Sequence, residues 1–220
     1  MFHVERYKVK SFSFADMSLL FHVEQFFRTD IMHDIEPYYN WEKYYQLEDD
    51  VRSPFYGTNY DLTKYSASIY DHYIHPKWDF IGSETLYLKI LYCSYDLKYC
   101  ILELFGEWND AINNDIMYFK RNVIDLLIKE GVNKFILIGE NVLNFHGSDD
   151  CYYEEWFEDV EDGWIAGLNF QYYVEDQWKK FHIDNYINYG GTLNIEDWRT
   201  MTPVKVYDLV NSMIQRRLGM

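Results

Sequence analysis

The strongest constraint on the fold is the alternation of strand and helix patterns between residues 85 and 175. Residues 85–93 and 99–105 are rich in strand-forming side chains, and the short turn 94–98 separates them, which predicts a hairpin. Gly106 ends the second strand. Apolar residues then recur at intervals of three and four, which predicts one buried helix face. These residues are Ile112, Ile116, Phe119, Val123, Ile124, Leu127 and Ile128.

The ends of this helix are marked by capping residues. Asn109 or Asp110 is suited to the N-cap, and Gly131 stands where a helix C′ glycine is common. The apolar run 135–138 then predicts a strand that is buried on both faces. A second helix follows, capped by one of the residues 148–150 and ending near residue 162, with Trp164 as its last apolar position. Residues 165–174 predict another strand.

Outside residues 85–175, the sequence patterns predict secondary structure less clearly. Residues 4–14 predict a strand and residues 15–27 a helix, whereas the aromatic-rich stretch 33–80 has no clear period and is expected to wrap a core with its rings inward. Thr202 as N-cap and Pro203 at the first helical position predict a C-terminal helix. We therefore expect one α/β domain over 1–220, with an aromatic-rich elaboration (1–84), a mixed-sheet core with a hairpin and crossover helices (85–175), and a tail (176–220).

The predicted order places one group of polar side chains together. A strand–helix–strand crossover normally joins parallel strands, so strands 99–105 and 134–139 should have their carboxyl ends at the same edge of the sheet. Ligands of open α/β sheets favour that edge. The segments 106–110 and 139–150 follow these strands and are expected to be loops with a binding surface. The candidate residues are Glu107, Asn109, Asp110, Glu140, Asn141, Asn144, His146 and Asp149.

Composition restricts the class of protein and its partners. The formal charge is −16, which argues against nucleic acid or an anionic membrane surface as a partner. One residue in five is aromatic, which is not typical of a disordered acidic chain. There is no secretory-signal pattern at the N-terminus and no apolar run of the roughly 18 residues that a membrane span needs. Three cysteines without a CxxC pair suit a reducing compartment, so we expect a cytoplasmic protein with buried thiols.

Residues 85–175 resemble the STAS domain family, the anti-sigma-factor antagonists and their relatives. The resemblance rests on the hairpin, on the strand that ends at Gly106, and on Val142 and Phe145 in the loop before the next helix. His146 stands at the position of the family's Asp, Gly147 at that of the serine that is usually phosphorylated, and Ser148 at that of the second serine. Asp149 replaces the family's glycine. The resemblance implies a STAS-like fold with a degraded phosphorylation motif.

The sequence leaves alternative interpretations of several polar residues open. Ser148 is either a plain N-cap or a phospho-acceptor at a helix N-terminus, although neighbouring acids would repel a phosphate. The carboxylates of the predicted edge suit a hard cation or an acid–base pair, but they equally suit turns and caps. The acidic, aromatic helix 150–164 is either an ordinary amphipathic helix or a docking surface for a basic partner. His72 and His75 lack the spacing of a helical zinc motif.

The function predicted from these patterns is binding rather than catalysis. No phosphate loop, dinucleotide fingerprint, serine-hydrolase elbow or calcium loop is present in the sequence, and we assign no cofactor and no metal site. The expected partner is a protein or a small ligand. The alternative is an enzyme or metal-dependent protein in which Glu107, Glu140 and His146 converge in a pocket. Pairing of copies through the edge of strand 85–93 is a third possibility, and the oligomeric state is not predicted.

Overall fold

The computed structural model describes residues 33–65, 68–217 and 219, and from Asp34 onwards these residues form one compact unit. The strand predicted at 4–14 and the helix predicted at 15–27 lie outside the described residues. A five-stranded sheet in the order β4-β5-β6-β7-β8 forms the centre of this unit. Its strands are β4 (Asp79–Phe80), β5 (Leu86–Ser94), β6 (Tyr99–Asn109), β7 (Lys134–His146) and β8 (Trp164–Leu168). A small second sheet contains β1 (His33–Ile35), β3 (His72–Ile74) and β2 (Ser68–Ile69), in that order.

The topology of the large sheet confirms the predicted α/β fold class. Strands β5 and β6 are antiparallel neighbours, as expected of a hairpin, and β4 adds to the outer side of β5. Strands β6, β7 and β8 are parallel, so both crossovers are present. Strand β4 pairs with β5 only at residues 87 and 88, so association of two copies through the rest of the edge of strand 85–93 stays a prediction.

Helices cover both faces of this sheet. The helices are α1 (Asp115–Phe119), which continues through a π-helical segment (Lys120–Ile124) into α2 (Asp125–Lys129), then α3 (Cys151–Asp159), α4 (Tyr172–Lys180) and α5 (Pro203–Arg217). Buried residues of α1 to α4 pack on the face that presents Leu102, Leu104 and Trp108 of β6. Helix α5 and Trp41 pack on the opposite face, against Tyr99 and Ile101. The predicted tail therefore supplies the second layer of the fold.

Strands β6 and β7 are longer than predicted, which corrects both predicted loops. Strand β6 continues to Asn109, so neither Asn109 nor Asp110 is an N-cap, and the helix begins at Asp115 after Asn114 in the left-handed conformation. Ile112 is 83% exposed and is not part of the buried helix face. Residues 139–146 are strand rather than loop. Backbone pairing between β6 and β7 continues up to Asn109 and His146 and satisfies the peptide groups of these residues.

Three other boundaries also differ from the predictions. Helix α3 ends at Asp159, and Trp164 is the first residue of β8 rather than a helix position. Strand β8 ends at Leu168 and helix α4 begins at Tyr172, so only the first part of the predicted strand 165–174 is strand. The C-terminal helix is confirmed, and the backbone N–H of Lys205 donates to Thr202 Oγ1 at 3.3 Å. Among the described residues, no helix is long and apolar enough to cross a membrane.

Only some of the aromatic rings in residues 33–80 are buried. Trp41 and Trp78 are buried, but many other rings keep large exposed fractions, which contradicts the expectation that the rings face the core. The exposed rings are Tyr39, Tyr44, Tyr56, Tyr65, Tyr70, Tyr73 and Phe80. The prediction of buried thiols holds for two of the three cysteines. Cys93 and Cys100 are buried partners across the hairpin, whereas Cys151 is exposed.

Candidate functional site

Half of the predicted site residues meet at the carboxyl ends of β6 and β7. Glu107, Asn109, Asn144 and His146 form a hydrogen-bonded group with Tyr70, and we call these five residues the edge cluster. The phenol of Tyr70 donates to Glu107 Oε2 at 2.5 Å, and Asn109 Nδ2 donates to Glu107 Oε1 at 2.7 Å. His146 Nε2 lies 3.5 Å from Glu107 Oε1 and 3.0 Å from Asn144 Nδ2. The cluster is therefore one connected polar surface around a single carboxylate.

The register of the two strands explains this meeting. Glu107 pairs with Asn144, and Asn109 pairs with His146. The register shifts twice along this pair, and at each shift β7 contributes one residue more than β6. These bulges re-aim the side chains of β7 relative to a regular strand. Tyr70 comes from the turn between β2 and β3, where its φ is +51°.

The edge cluster remains accessible. The side chain of His146 is 48% exposed, whereas that of Glu107 is 18% exposed. The hydrogen bond to Glu107, together with burial, raises the pKa of the Tyr70 phenol, so this hydroxyl stays a donor at neutral pH. Asn144 Nδ2 donates to the same hydroxyl at 3.2 Å. The surface thus presents amide, imidazole and phenol groups that are already oriented.

Glu140 and Asn141 belong to a different group of side chains. Glu140 pairs with Arg199, and it accepts hydrogen bonds from Trp198 Nε1 and Asn169 Nδ2, both at 2.8 Å. Asn141 Nδ2 donates to the buried Glu103 at 3.3 Å. Glu107, Glu140 and His146 therefore do not converge, and the catalytic arrangement predicted from these three residues is wrong. Glu140 instead ties β7 to the C-terminal segment.

Glu103 is the most deeply buried acid of this second group. Burial raises its pKa to about 7, against the opposing effects of the Tyr38 backbone N–H, which donates at 2.7 Å, and of the Arg199 charge. Arg199 Nη2 lies 3.6 Å from Glu103 Oε1. The group connects the segment before β4, the central sheet and the segment before α5, so its evident role is to join parts of the fold.

Asp110 also has a structural position. Its carboxylate accepts hydrogen bonds from Trp108 Nε1 at 3.0 Å, the Ile116 N–H at 2.8 Å and the Tyr153 hydroxyl at 2.5 Å. Burial raises its pKa to about 7, and the nearby charge of Asp115 acts in the same direction. Asp110 thereby joins the end of β6 to α1 and α3 and is not available to a ligand.

Ser148 and Asp149 precede α3 on an exposed segment. The N-cap of α3 is Asp150, so Ser148 is not the cap that the simpler hypothesis assigned to it. Asp149 accepts a hydrogen bond from the Cys151 N–H at 3.2 Å, and hydrogen bonds from Cys151 lower the pKa of its carboxyl. Phosphorylation of Ser148 stays a prediction. Within the described ranges, no three His, Cys, Asp or Glu side chains are placed to hold a metal ion.

A large open cavity adjoins the edge cluster and was not predicted. Its volume is about 1070 Å³, and Tyr70 and Glu107 are shared between its wall and the edge cluster. Rings form much of the wall, including Phe80, which is 59% exposed, and Tyr87, whose ring centroid lies 6.1 Å from that of Phe80. The carboxylates of the wall are Asp61, Asp79, Glu84 and Glu107. The sequence feature that corresponds to this cavity is the high density of aromatic and acidic residues between 55 and 87, a stretch without a helical or strand period.

One wall of the cavity contains a buried charge pair. Asp79 Oδ1 accepts a hydrogen bond from Tyr60 at 2.5 Å, and Oδ2 lies 3.5 Å from Lys89 Nζ. The Lys89 ammonium also lies 3.9 Å from the centroid of the Tyr60 ring. Burial raises the pKa of Asp79 to about 6, although Lys89 and Tyr60 oppose the shift, and burial lowers the pKa of Lys89.

Comparison with known proteins assigns this chain to no family. No protein-family model matches the chain, and no curated protein matches it. Among solved structures, the chain is similar to the anti-sigma factor antagonist SpoIIAA in its unphosphorylated form. The match has 12% sequence identity and a TM-score of 0.38, and it covers 60% of this chain and 97% of that one. The predicted resemblance to the STAS family is thus found again as a weak structural likeness, which says nothing of this chain's activity.

Proposed function

We propose that this chain is a non-catalytic, cytoplasmic binding protein that recognises a protein partner through the edge cluster and the rim of the adjoining cavity. The observation that carries the proposal is that Tyr70 and Glu107 belong to both, so that one continuous surface combines oriented polar groups with exposed rings. Recognition surfaces characteristically combine aromatic anchors with a polar rim.

The chemistry of the edge cluster supports binding. Glu107 already accepts hydrogen bonds from Tyr70 and Asn109, and these hold its carboxylate in place. Such preorganisation lowers the entropy that is lost when a partner docks. The exposed imidazole of His146 and the amide of Asn144 supply further hydrogen-bonding groups at the same edge.

Photo-crosslinking in cells of the protein's own host tests this proposal. A photoreactive phenylalanine analogue is introduced in place of Tyr70, which is 54% exposed, or in place of Tyr44, which is 48% exposed and lies outside the cavity wall. We expect a discrete crosslinked protein from position 70 that is absent from position 44, and we expect Glu107→Gln to reduce its yield.

The outcomes separate the possible partners. A crosslink between two copies of this chain would identify the surface as a self-association interface. Identical adducts at both positions, or no protein adduct at position 70, would contradict the proposal that this surface binds a protein. Glu158→Gln is the control for Glu107→Gln, because Glu158 is an exposed acid of α3, on the opposite face of the sheet from Tyr87 and Phe105.

A further inference from the structure

The charge of the cavity wall points to the class of ligand. Four carboxylates line the cavity, and two of them are already paired with lysines: Asp61 with Lys64 at 3.2 Å and Asp79 with Lys89 at 3.5 Å. Glu84 is exposed at the wall, close enough to Tyr87 for its charge to contribute to the raised pKa of that phenol. With a formal charge of −16 on the whole chain, the cavity favours a cation over any anion.

The aromatic groups of the wall supply a second means of holding a cation. Phe80 presents more than half of its surface, and Phe80 and Tyr87 are cross-strand partners on β4 and β5, so their rings are held side by side. Tyr70 adds an exposed ring at the same cavity. Ammonium and guanidinium groups are attracted to such ring faces, and guanidinium groups also pair with carboxylates in a planar fork.

The buried carboxylate of Asp79 is a further charged group in the wall of the cavity. Its side chain is 1% exposed, and its Oδ2 atom makes no hydrogen bond to the described residues, with the Lys89 ammonium 3.5 Å away as its nearest charge partner. A buried carboxylate oxygen without a hydrogen bond is costly. The ion pair with Lys89 compensates part of this cost.

We infer that the cavity binds an arginine- and lysine-rich segment of a protein partner, whose cationic side chains lie against Phe80 and Tyr70 and pair with Glu84 and Glu107. This inference rests on the proposed function and names the chemistry of the partner. A cavity of about 1070 Å³ that is open to solvent accommodates several residues of an extended peptide, and charge complementarity selects a basic one.

Fluorescence anisotropy with synthetic peptides tests the inference. The probe is a fluorescein-labelled peptide of alternating glycine and arginine, and its counterpart replaces each arginine by citrulline, which has the same shape without the charge. Low salt is used because exposed charge pairs are screened by salt. We expect the arginine peptide to bind the full chain and the citrulline peptide to bind at least tenfold more weakly, since every cation–carboxylate pair is lost.

Matched variants distinguish binding in the cavity from attraction by the net charge. Glu84→Gln should weaken binding about two- to fivefold, and Glu158→Gln, with the same change in net charge, should leave it unchanged. Phe80→Leu should weaken binding about two- to fivefold, whereas Phe157→Leu, which alters an exposed ring of α3, should have no effect. Circular dichroism spectra and melting temperatures verify that all four variants are folded.

Three results of the peptide titrations would overturn the inference. The first is absence of arginine-peptide binding, and the second is equal binding of the citrulline peptide. The third is binding that Glu84→Gln and Phe80→Leu do not weaken more than their controls, which would show attraction by the net charge alone. If the protein crosslinked at position 70 has no basic segment, the inference about the cavity fails while the proposed binding function stands.

Discussion

Asp110 gives the sharpest test of the energetics derived from this structure. Its carboxylate is buried where β6, α1 and α3 meet, and burial raises its pKa from 3.8 to about 7. Substitution Asp110→Asn keeps the size of the side chain and removes its charge. The amide oxygen can still accept from Trp108 Nε1 and the Ile116 N–H, and the Tyr153 hydroxyl can accept from the new amide group.

The sign and size of the effect follow from proton linkage. An acid with a raised pKa in the folded state binds its proton more tightly there than in the unfolded chain, so its contribution to stability falls as pH rises from about 4 to about 7. Between pH 5 and pH 7 the folded wild-type protein loses about 1.4 kcal/mol per pH unit from this group. The advantage of Asp110→Asn over wild type should therefore grow by about 3 kcal/mol between pH 5 and pH 8.

Urea unfolding followed by tryptophan fluorescence at pH 5, 6, 7 and 8 measures this difference. Wild type, Asp110→Asn and the exposed control Glu158→Gln are compared at each pH, and equal m-values are required for the comparison. The control should differ from wild type by a constant amount. A difference between wild type and Asp110→Asn that does not change with pH would show that Asp110 is ionised at its ordinary pKa in the folded protein, and the linkage argument would be refuted.

Two further predictions concern residues on which the stability of the fold depends. Lys120 is buried, and its ammonium donates to three carboxylates at 2.6 to 3.0 Å. Lys120→Met should therefore lower the free energy of unfolding by about 2 kcal/mol, as measured by urea unfolding. The control Lys129→Met, at the exposed end of α2, should change this free energy little. At Gly106, where φ is +115°, an added Cβ would lie 2.2 Å from the Thr85 carbonyl oxygen, so Gly106→Ala should cost about 3 kcal/mol or more. Gly131→Ala shares the positive φ, but its Cβ would meet no atom of the described residues within 4 Å, so it should cost about 1 kcal/mol. Equal melting temperatures for the two alanine variants would contradict the steric argument.

The position of the binding surface also affects how pH should act on it. Asp79 at the cavity wall lies beside Lys89 and has a pKa of about 6 because it is buried. As pH rises through 6, Asp79 loses its proton and the cavity becomes more negative. Binding of a cationic peptide should therefore strengthen between pH 5 and pH 7, and anisotropy titrations at these pH values measure the change. A Kd that does not change between pH 5 and pH 7 in wild type would exclude Asp79 as a contributor.

The sequence by itself determined the order and direction of the central elements. The hairpin 85–105 and the crossovers to 134–139 and to the strand that begins near residue 165 follow from side-chain periodicity and from the handedness of short connections. These are local properties, because period-2 and period-3.6 patterns require no knowledge of distant residues. The C-terminal helix was predictable for the same reason, since Thr202 and Pro203 mark its start within the chain itself.

Only the tertiary structure decided where strands end and which site residues meet. Asn109 and Asp110 look like caps in the sequence, but β6 continues because residues from 134 to 146 pair with it across a gap of more than 30 positions in the chain. The two bulges of β7 depend on the same long-range pairing, and they place Asn144 and His146 beside Glu107 while Glu140 joins Arg199. Register and bulges are set by the packing of whole strands, so no local pattern contains them.

The cavity depends still more on long-range contacts. Its wall combines residues from 55 to 87 with Glu107 of β6. The aromatic residues of this stretch show no helical or strand period, because some of their rings are buried and others are exposed to solvent. Trp78 stacks on Phe105 at a centroid distance of 5.3 Å, whereas Phe80, two residues later, remains exposed. Burial of each ring is decided by the sheet face that it meets, and that face is formed by strands far away in the sequence.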